Sequence, residues 1–329
     1  MSTTNDLFTT LESEILHASL NEADRSKLLN NLKQIKKGKL NILITGATGA
    51  GKSSTINALF NMPIAEVGMN SEPHTECVQH YQLNNLVLWD SPGLGDGIEE
   101  DKRHTKAIKH LLNKKDADGQ LVIDLVLVIL DGGSRDLGTP LTLINDIIIP
   151  HLGDEADKRL IVGINQADVA LKGPKSWNYI DNEPTDEALA FLEKQQATVA
   201  KRIHKATQIS ITPVYFVAGY SDGVNRQRPY NLSKLLYTIV DLLPKDKRVM
   251  LANRTISNDV NNWKDNDASD YNKKTSLSLW ESIVETTLQG ASIGSDIGAI
   301  FGKPGKAIGK VIGSVAGVFF GGIKYIFGF

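Results

Sequence analysis

A glycine-rich segment that ends in lysine and serine contains the residues of this chain that point most directly to chemistry. The segment, Gly46-Ala-Thr-Gly-Ala-Gly-Lys52-Ser53, fits the pattern G-x-x-x-x-G-K-[ST]. Glycines at this spacing let backbone N–H groups converge on a phosphate at the amino terminus of a helix. Lys52 supplies a positive charge there, and the Ser53 hydroxyl is a ligand for Mg²⁺. Because an apolar run precedes the segment and a helical pattern follows it, we favour a phosphate-binding loop over an ordinary glycine-rich turn.

A second motif, Asp90-Ser-Pro-Gly93, directly follows another apolar run. It places a carboxylate at the carboxyl end of a strand, which lies near the phosphates in doubly wound folds. We therefore expect Asp90 to hold Mg²⁺ through water and the Gly93 amide to contact the γ-phosphate. On its own this motif is a common turn, and it becomes specific only together with a phosphate-binding loop.

A third motif, Asn165-Gln-Ala-Asp168, also ends an apolar run. The Asp168 carboxylate can accept hydrogen bonds from the ring N–H and the exocyclic amine of guanine. Adenine offers an acceptor at the first position and has no amine at the second, so the motif favours guanine. The alternative is that Asp168 caps a helix, since Asp is common at that position.

Apolar runs alternate with longer amphipathic segments, which predicts the elements that position these motifs. The predicted strands are 41–45, 78–83, 86–89, 125–130, 160–164 and 213–217, and the predicted helices are 52–60, 100–113, 140–151, 185–207 and 233–242. Residues 78–83 are expected to form the edge of a hairpin with its turn at Asn84-Asn85. The fold class is α/β: a doubly wound, mostly parallel six-stranded sheet with helices on both faces.

Taken together, the motifs resemble the translation-factor-related class of P-loop GTPases, in the branch that contains Era, TrmE and septin-like proteins. Gly46 to Ser54 with the following Thr55-Ile-Asn-Ala-Leu-Phe60, and Asp90-Ser-Pro-Gly-Leu-Gly-Asp96, are most similar to the bacterial YfjP-type predicted GTPases. The resemblance covers residues 40–243. It implies a G domain that binds GTP or GDP with Mg²⁺ and hydrolyses GTP.

The resemblance assigns catalytic and metal-binding roles. Lys52, Thr75 and Gly93 are the expected catalytic residues, and Ser53, Thr75 and Asp90 the expected Mg²⁺ ligands. Thr75, in Pro73-His-Thr75, looks like the switch I threonine that reaches Mg²⁺ in the triphosphate state.

The resemblance also assigns the nucleotide contacts. Asn165 and Asp168 are expected to bind guanine, and a backbone amide of Val217-Ala218-Gly219 to contact its O6 atom. The expected nucleotide-binding residues are Gly46, Thr48, Gly49, Ala50, Gly51, Lys52, Ser53, Ser54, Asp90, Gly93, Asn165, Gln166, Asp168, Val217 and Ala218.

Two residues depart from the family pattern. Gln166 stands where a lysine usually packs over the base, so a cationic stacking contact is missing. Leu94 stands where Ras-like enzymes use glutamine to orient the attacking water, which leucine cannot do. We expect slow intrinsic hydrolysis, with water positioned by Asp96, His74, a backbone group, a dimer partner or an activator.

The segments flanking the G domain divide the chain into further units. Residues 1–38 predict one or two amphipathic helices, 39–244 the G domain, 245–285 a polar connector with some helix, and 286–329 a glycine-rich helical hairpin. This last segment holds 11 of the 28 glycines, and most of them recur every four residues. Such spacing predicts two glycine-faced helices packed on each other with their apolar side chains outward. These side chains would contact a membrane or be hidden by folding back on the G domain.

Composition narrows the function further. The 329 residues carry 36 Lys plus Arg and 38 Asp plus Glu, a net charge of −2, which lacks the basic excess of most nucleic-acid-binding proteins. A single cysteine and the absence of a signal-like start indicate a cytoplasmic protein, with peripheral attachment to the inner face of the membrane as an option. The expected function is a GTPase switch. The alternative is an assembly or membrane-remodelling GTPase that dimerises across the G-domain face.

Overall fold

A six-stranded sheet lies at the centre of the computed structural model, which describes residues 7–62, 78–95, 97–134, 137–173, 176–221, 226–252, 255–264, 269–289 and 306–327. The strands of this sheet are β1 (Leu40–Gly46), β2 (Gln79–Leu83), β3 (Leu86–Asp90), β4 (Leu125–Asp131), β5 (Leu160–Asn165) and β8 (Val214–Tyr215). Their order is β2-β3-β1-β4-β5-β8, and all pairs are parallel except β2 with β3. The predicted fold class is confirmed.

The apolar runs form central strands because both faces of the sheet are covered. Residues of β1, β4 and β5 are almost all buried. The edge strand β2 has exposed positions, and Asn84 takes the positive φ of 51° that its two-residue turn needs. Because β3 and β4 lie on opposite sides of β1, the chain changes direction at the carboxyl end of β1, where such folds bind ligands.

Helices cover the two faces of the sheet. They are α1 (Leu7–His17), α2 (Glu22–Lys37), α3 (Lys52–Leu59), α4 (Ile98–Leu112), α5 (Gly138–Thr142), α6 (Ile149–Leu152), α7 (Ala156–Arg159), α8 (Ala167–Ala170), α9 (Asp186–Thr207), α10 (Leu232–Leu242), α11 (Lys245–Leu251), α12 (Tyr271–Leu288) and α13 (Lys306–Phe327). The core on one face includes side chains of α3 and α10, and the core on the other includes those of α4 and α9.

Several irregular features were not predicted, among them a 3₁₀ turn at Gly153–Glu155 between α6 and α7. A π-helical stretch, Leu143–Ile148, joins α5 to α6 just before Pro150, which has no N–H to continue the regular ladder. A 3₁₀ turn, Val260–Trp263, precedes α12. Two small hairpins lie at the carboxyl edge of the sheet; they pair β6 (Trp177–Asn178) with β7 (Glu183–Pro184), and β9 (Tyr220–Ser221) with β10 (Arg226–Gln227). Strand β8 is shorter than its predicted run.

The helices from the two ends of the chain pack into one layer on the α3/α10 side. Helix α12 lies against α2, α10 and α11, and its Leu279 and Ile283 are fully buried. The predicted connector 245–285 is therefore packed structure, and its boundary at 285 falls inside α12. Composition misses this because α12 mixes buried Thr and Ser with apolar residues, which lowers the hydrophobicity of its buried face.

Helix α13 adopts the second of the two predicted arrangements, in which its apolar side chains are covered by the protein. Its Val311, Val315 and Phe319 are buried against α1 and α12, with the Phe319 ring 5.7 Å from that of Trp280. Gly317 and Gly321 are exposed, and an added Cβ there would meet no atom within 4 Å. The apolar side chains have far more area to remove from water than glycines do, so they face the protein. The first predicted arm, 290–302, lies outside the described residues, as do the first three residues of the predicted turn at 303–306.

Within the described ranges, we find no helix with enough length and apolarity to cross a bilayer.

Candidate functional site

The phosphate-binding loop runs from the end of β1 to the start of α3. Its glycines take conformations that other residues rarely adopt: φ is 147° at Gly46, 79° at Gly49 and 87° at Gly51. A Cβ at Gly46 would lie 2.1 Å from the Ile129 carbonyl oxygen, so the loop also needs glycine for its close approach to β4. The loop thus turns its backbone into the amino terminus of α3, as an anion site requires.

Lys52 and the serines occupy the first turn of α3. The Lys52 ammonium donates to the Ala47 carbonyl at 3.1 Å, which folds its side chain back over the loop. Ser53 and Ser54 are exposed in this turn. Lys52 therefore lies over the loop and Ser53 is exposed beside it, and their roles toward phosphate and Mg²⁺ stay predictions.

Asp90 carries an unsatisfied carboxylate at the end of β3. Its Oδ1 atom is shielded from solvent and has no hydrogen-bond partner among the described residues. Burial raises the pKa of Asp90 to about 6 from 3.8, and the charge of Lys52 opposes that rise. A buried carboxylate oxygen with no partner is the kind of atom that a hydrated Mg²⁺ satisfies, so the residues fit the ion.

Gly93 packs directly on the phosphate-binding loop. A Cβ there would lie 2.1 Å from Thr48 Oγ1 and 2.4 Å from the Thr48 nitrogen. The Thr48 N–H donates to the Leu94 carbonyl at 3.1 Å, and the Leu94 side chain is buried. The loop that starts at Asp90 is therefore bonded to the phosphate-binding loop through its backbone, and Leu94 is a packing residue.

His104 was missed by the sequence analysis. This buried side chain of α4 places its ring Nδ1 3.0 Å from the Gly93 carbonyl oxygen. Because a carbonyl only accepts, Nδ1 carries the proton in this contact. His104 thus fixes the peptide that the sequence predicts to sense the γ-phosphate. Nothing in the sequence of an amphipathic helix indicates that one of its histidines will bond to a distant backbone carbonyl.

Asn165 joins three segments of the site. Its amide donates to the Ala50 carbonyl at 2.9 Å, and its Oδ1 accepts from the Ala218 N–H at 2.9 Å. The side chain is 3% exposed. Asn165 therefore holds the phosphate-binding loop and the loop after β8 in one position, and the prediction that it also contacts the base remains a prediction.

Gln166 and Asp168 follow Asn165 with different partners. Gln166 adopts a φ of 60° and donates from Nε2 to the Gly49 carbonyl at 2.8 Å, so it lies across the phosphate-binding loop. Asp168 is 8% exposed, and its Oδ2 accepts from Gln227 Nε2 at 2.9 Å. Helix α8 is a single turn beginning at Ala167, so Asp168 lies inside it and does not cap it.

The structure distinguishes the three backbone amides that are predicted to contact O6 in the loop after β8. Val217 pairs with Tyr230 through two backbone hydrogen bonds, and the Ala218 N–H is used by Asn165. The next amide, that of Gly219, has no acceptor among the described residues. Gly219 has a φ of 75°, and a Cβ there would lie 2.6 Å from the Gln227 carbonyl oxygen. Gly219 is thus the better candidate for the O6 contact.

A cavity of about 520 Å³ opens beside this loop and reaches α3. Ser54, Ala218, Gly219, Tyr220 and Gln227 are among its lining residues. Its volume lies in the range of small-molecule sites.

Two exposed tyrosines, Tyr179 and Tyr220, also lie in the neighbourhood of Asp168. Tyr179 and Tyr220 are 63% and 55% exposed, and the pKa of Tyr179 is raised by partial burial and then by the charges of Asp168 and Tyr220.

Some predicted residues lie outside the described ones: Thr75, and the candidates His74 and Asp96 for positioning water. Among the residues that the structure describes, we find no group of three or more His, Cys, Asp or Glu side chains that could hold a metal ion. Of the predicted Mg²⁺ ligands, Asp90 and Ser53 are among the residues that the structure describes.

Part of the site lies in a segment that matches a known family. Residues 41–166 match the model of a family described as 50S ribosome-binding GTPase. Interferon-inducible GTPase 1 of mouse (Mus musculus) is 36% identical over 80 residues, which cover 21% of this chain and 18% of that protein. Translocase of chloroplast 34 of pea (Pisum sativum) is 32% identical over 101 residues, covering 30% and 33%. The chain thus spans a third or less of these relatives.

Among solved structures, Toc33 from Arabidopsis thaliana in complex with Mg²⁺ and GMPPNP aligns with 74% of this chain and 99% of that chain, at 17% identity and a TM-score of 0.39. The sheet order, the loop after β1 and the match over residues 41–166 agree in fold class: the central part of this chain has the fold of a P-loop G domain, with helical segments before and after it.

Proposed function

We propose that this protein binds GTP and GDP with Mg²⁺, hydrolyses GTP to GDP and phosphate, and acts as a nucleotide-dependent switch. The observation that carries the proposal is Asn165, whose amide bonds to both the phosphate-binding loop and the loop after β8. This side chain supports the proposal because it joins the loop proposed to bind phosphate to the edge of the sheet where Asp168, the carboxylate proposed to read the base, also lies. A nucleotide has both of the chemical groups that such a pair of sites would bind.

Each residue of the proposed nucleotide site has a separate role in binding or in hydrolysis. Backbone N–H groups of the phosphate-binding loop and the Lys52 ammonium stabilise negative charge on the phosphates. Ser53 and Asp90 would hold Mg²⁺, with Thr75 as a third ligand in the triphosphate state; the ion would neutralise phosphate charge. Asp168 accepts from the guanine ring N–H and amine, and Gly219 offers its N–H to O6.

We expect intrinsic hydrolysis to be slow. Leu94 stands where a water-orienting side chain would be needed, and it is buried. A missing stabilising group in phosphoryl transfer costs on the order of 10³-fold or more. Turnover by the isolated protein above about 1 s⁻¹, the low end for kinases, would contradict this expectation. A partner, a dimer or an activator would then supply the missing group.

The switch follows from the contacts of Gly93. A γ-phosphate bonded to the Gly93 N–H would pull on a peptide that also contacts Thr48 and His104. Helix α4 would then respond to the presence of the γ-phosphate. This links nucleotide state to a surface that a partner can read.

A titration of fluorescent GDP, GTP and ATP against the full chain with Mg²⁺ tests the proposal. We expect guanine nucleotides to bind more tightly than ATP and Asp168→Asn to weaken guanine binding at least tenfold, since a hydrogen bond to a charged group is lost. Asp181→Asn, in the turn between β6 and β7, is the matched control, because this exposed carboxylate lies outside the proposed contacts. Equal binding of ATP and GTP would reject the guanine assignment.

The second candidate is an assembly or membrane-remodelling GTPase that dimerises across the G-domain face. Tyr179 and Ile180 are exposed near the proposed nucleotide site. They favour dimerisation, because large exposed apolar side chains are typical of protein–protein interfaces. Nucleotide-dependent oligomerisation, measured by light scattering, would support it. Lipid contact through 286–329 has less support, since Val311, Val315 and Phe319 of α13 are buried and the helix packs against α1 and α12. Flotation of the full chain with liposomes in both nucleotide states tests it.

Two further parts of the proposal concern the cellular location and the subfamily of the protein. We infer a cytoplasmic protein, with peripheral attachment at the inner membrane face only if flotation succeeds. The similarity to YfjP-type GTPases remains a prediction, as the relatives found are of other kinds.

A further inference from the structure

The side chain of Gln227 contacts the carboxylate that is proposed to read the base. Its Nε2 atom donates to Asp168 Oδ2 at 2.9 Å, across a sequence separation of 59 residues. Gln227 belongs to β10, outside every motif that the sequence analysis used. Its neighbour across the hairpin is Tyr220, and directly paired residues place their side chains on the same face. Gln227 and Tyr220 both line the 520 Å³ cavity beside the loop after β8.

The hydrogen bond fixes the orientation of a carboxylate that has few other constraints. An ionised carboxylate has about four lone-pair directions and rotates about its last bond unless a donor holds it. Helix α8 is one turn long and fixes only the backbone of Asp168. The Gln227 amide uses one lone pair and leaves the others for the base. To accept two parallel N–H groups from guanine, the carboxylate must lie in the plane of the ring, and Gln227 sets that plane.

We propose that Gln227 is a specificity-determining positioning residue: it orients Asp168 so that both carboxylate oxygens meet the N–H groups of a guanine base. The inference rests on the proposed function and deepens it. It predicts that selection of the exocyclic amine depends on Gln227, which does not itself touch that amine.

The hairpin that carries Gln227 has anchors of its own. Val217 and Tyr230 exchange backbone hydrogen bonds of 2.9 and 3.0 Å at its base. The buried Asn182 donates to the Pro229 carbonyl at 3.0 Å. Loss of the Gln227 amide therefore leaves the hairpin attached, so a variant reports on Asp168 and not on collapse of the loop.

The test compares GDP with IDP, whose base differs only in lacking the exocyclic amine. Dissociation constants are measured with Mg²⁺ for the full chain and for Gln227→Leu, which keeps the size of the side chain and removes the donor. We expect the wild type to prefer GDP over IDP by at least about tenfold, the lower end of the contribution of a hydrogen bond to a charged group, and Gln227→Leu to reduce the preference to about twofold or less. Gln227→Asn, which keeps the amide but shortens its reach by one methylene, should give an intermediate ratio.

Gln82→Leu is the matched control. Gln82 also lies on a hairpin strand and donates from Nε2, but to the Asn84 carbonyl on the opposite edge of the sheet. We expect its GDP-to-IDP ratio to equal that of the wild type. Melting temperatures of all variants are measured in parallel, because a purely structural role for Gln227 would lower the melting temperature and leave the ratio unchanged.

The outcomes separate this inference from the proposed function. If the wild type binds no guanine nucleotide, the proposed function fails. If it binds GDP and Gln227→Leu keeps the wild-type ratio, or binds GDP more tightly because the amide had blocked the base, only the role of Gln227 is overturned. If Gln227→Leu does not fold, the ratio for Gln227→Asn decides between the same outcomes.

Discussion

The raised pKa of Asp90 predicts that the proposed metal site lowers the stability of the nucleotide-free protein. The carboxyl titrates near 6 in the folded state because it is buried, and at about 3.8 when the chain is unfolded. Between these values the folded state binds more protons than the unfolded state, so the free energy of unfolding falls as the pH rises. Each pKa unit corresponds to 1.36 kcal/mol, which gives a cost of about 3 kcal/mol above pH 7.

Asp90→Asn removes this cost while it keeps the shape of the side chain. We expect the variant to be more stable than the wild type by about 3 kcal/mol at pH 8 without nucleotide, and the difference to shrink toward zero near pH 4. Urea unfolding at four or five pH values measures it, with Asp154→Asn, an exposed carboxylate, as the control. Parallel pH profiles for wild type and Asp90→Asn would refute the reasoning. In the wild type, Mg²⁺ and nucleotide should also stabilise less below pH 6, because the ion must displace a proton.

Three further perturbations follow from contacts in the structure. Gly93→Ala should lower stability by about 1–3 kcal/mol in urea unfolding, because the new Cβ would lie 2.1 Å from Thr48 Oγ1; an unchanged midpoint would contradict the packing. Asn165→Ala should cost about 2–4 kcal/mol, since two buried backbone groups lose their partner, and isothermal titration should show weakened nucleotide binding. Phe319→Ala should cost about 3–5 kcal/mol, whereas Val318→Ala, at 41% exposure, should change the melting temperature little.

The sheet and the phosphate-binding loop could be predicted because their signals are local. Continuous apolar runs mark strands that are covered on both faces. The motif around Lys52 has glycines at the positions where the loop needs a positive φ. The helices that cover the sheet were predicted within about two residues, because their apolar periodicity matches a buried face. Each of these inferences needed only neighbouring residues.

The missed features depend on contacts between distant segments. His104 and Gln227 have no motif, and their roles come from meeting Gly93 and Asp168 across 11 and 59 positions. The sequence spacing on α13 separates a glycine face from an apolar face, but it leaves open whether the apolar face contacts lipid or protein, because that depends on α1 and α12. The use of the Ala218 N–H by Asn165 is likewise visible only when the strands are aligned.

The packing of α13 changes what a truncation experiment would measure. Its Val311 and Val315 meet Leu11 and Ile15 of α1 around a small apolar cavity, and Trp263 stacks edge-on against Phe327. Removing residues 286–329 would leave the first helix of the chain with a bare apolar surface, which adheres to liposomes and plastic alike. The deletion would therefore create nonspecific lipid binding, the property that it was designed to remove. Point substitutions on the exposed side of α13, such as Tyr325→Ser, test lipid contact without exposing α1.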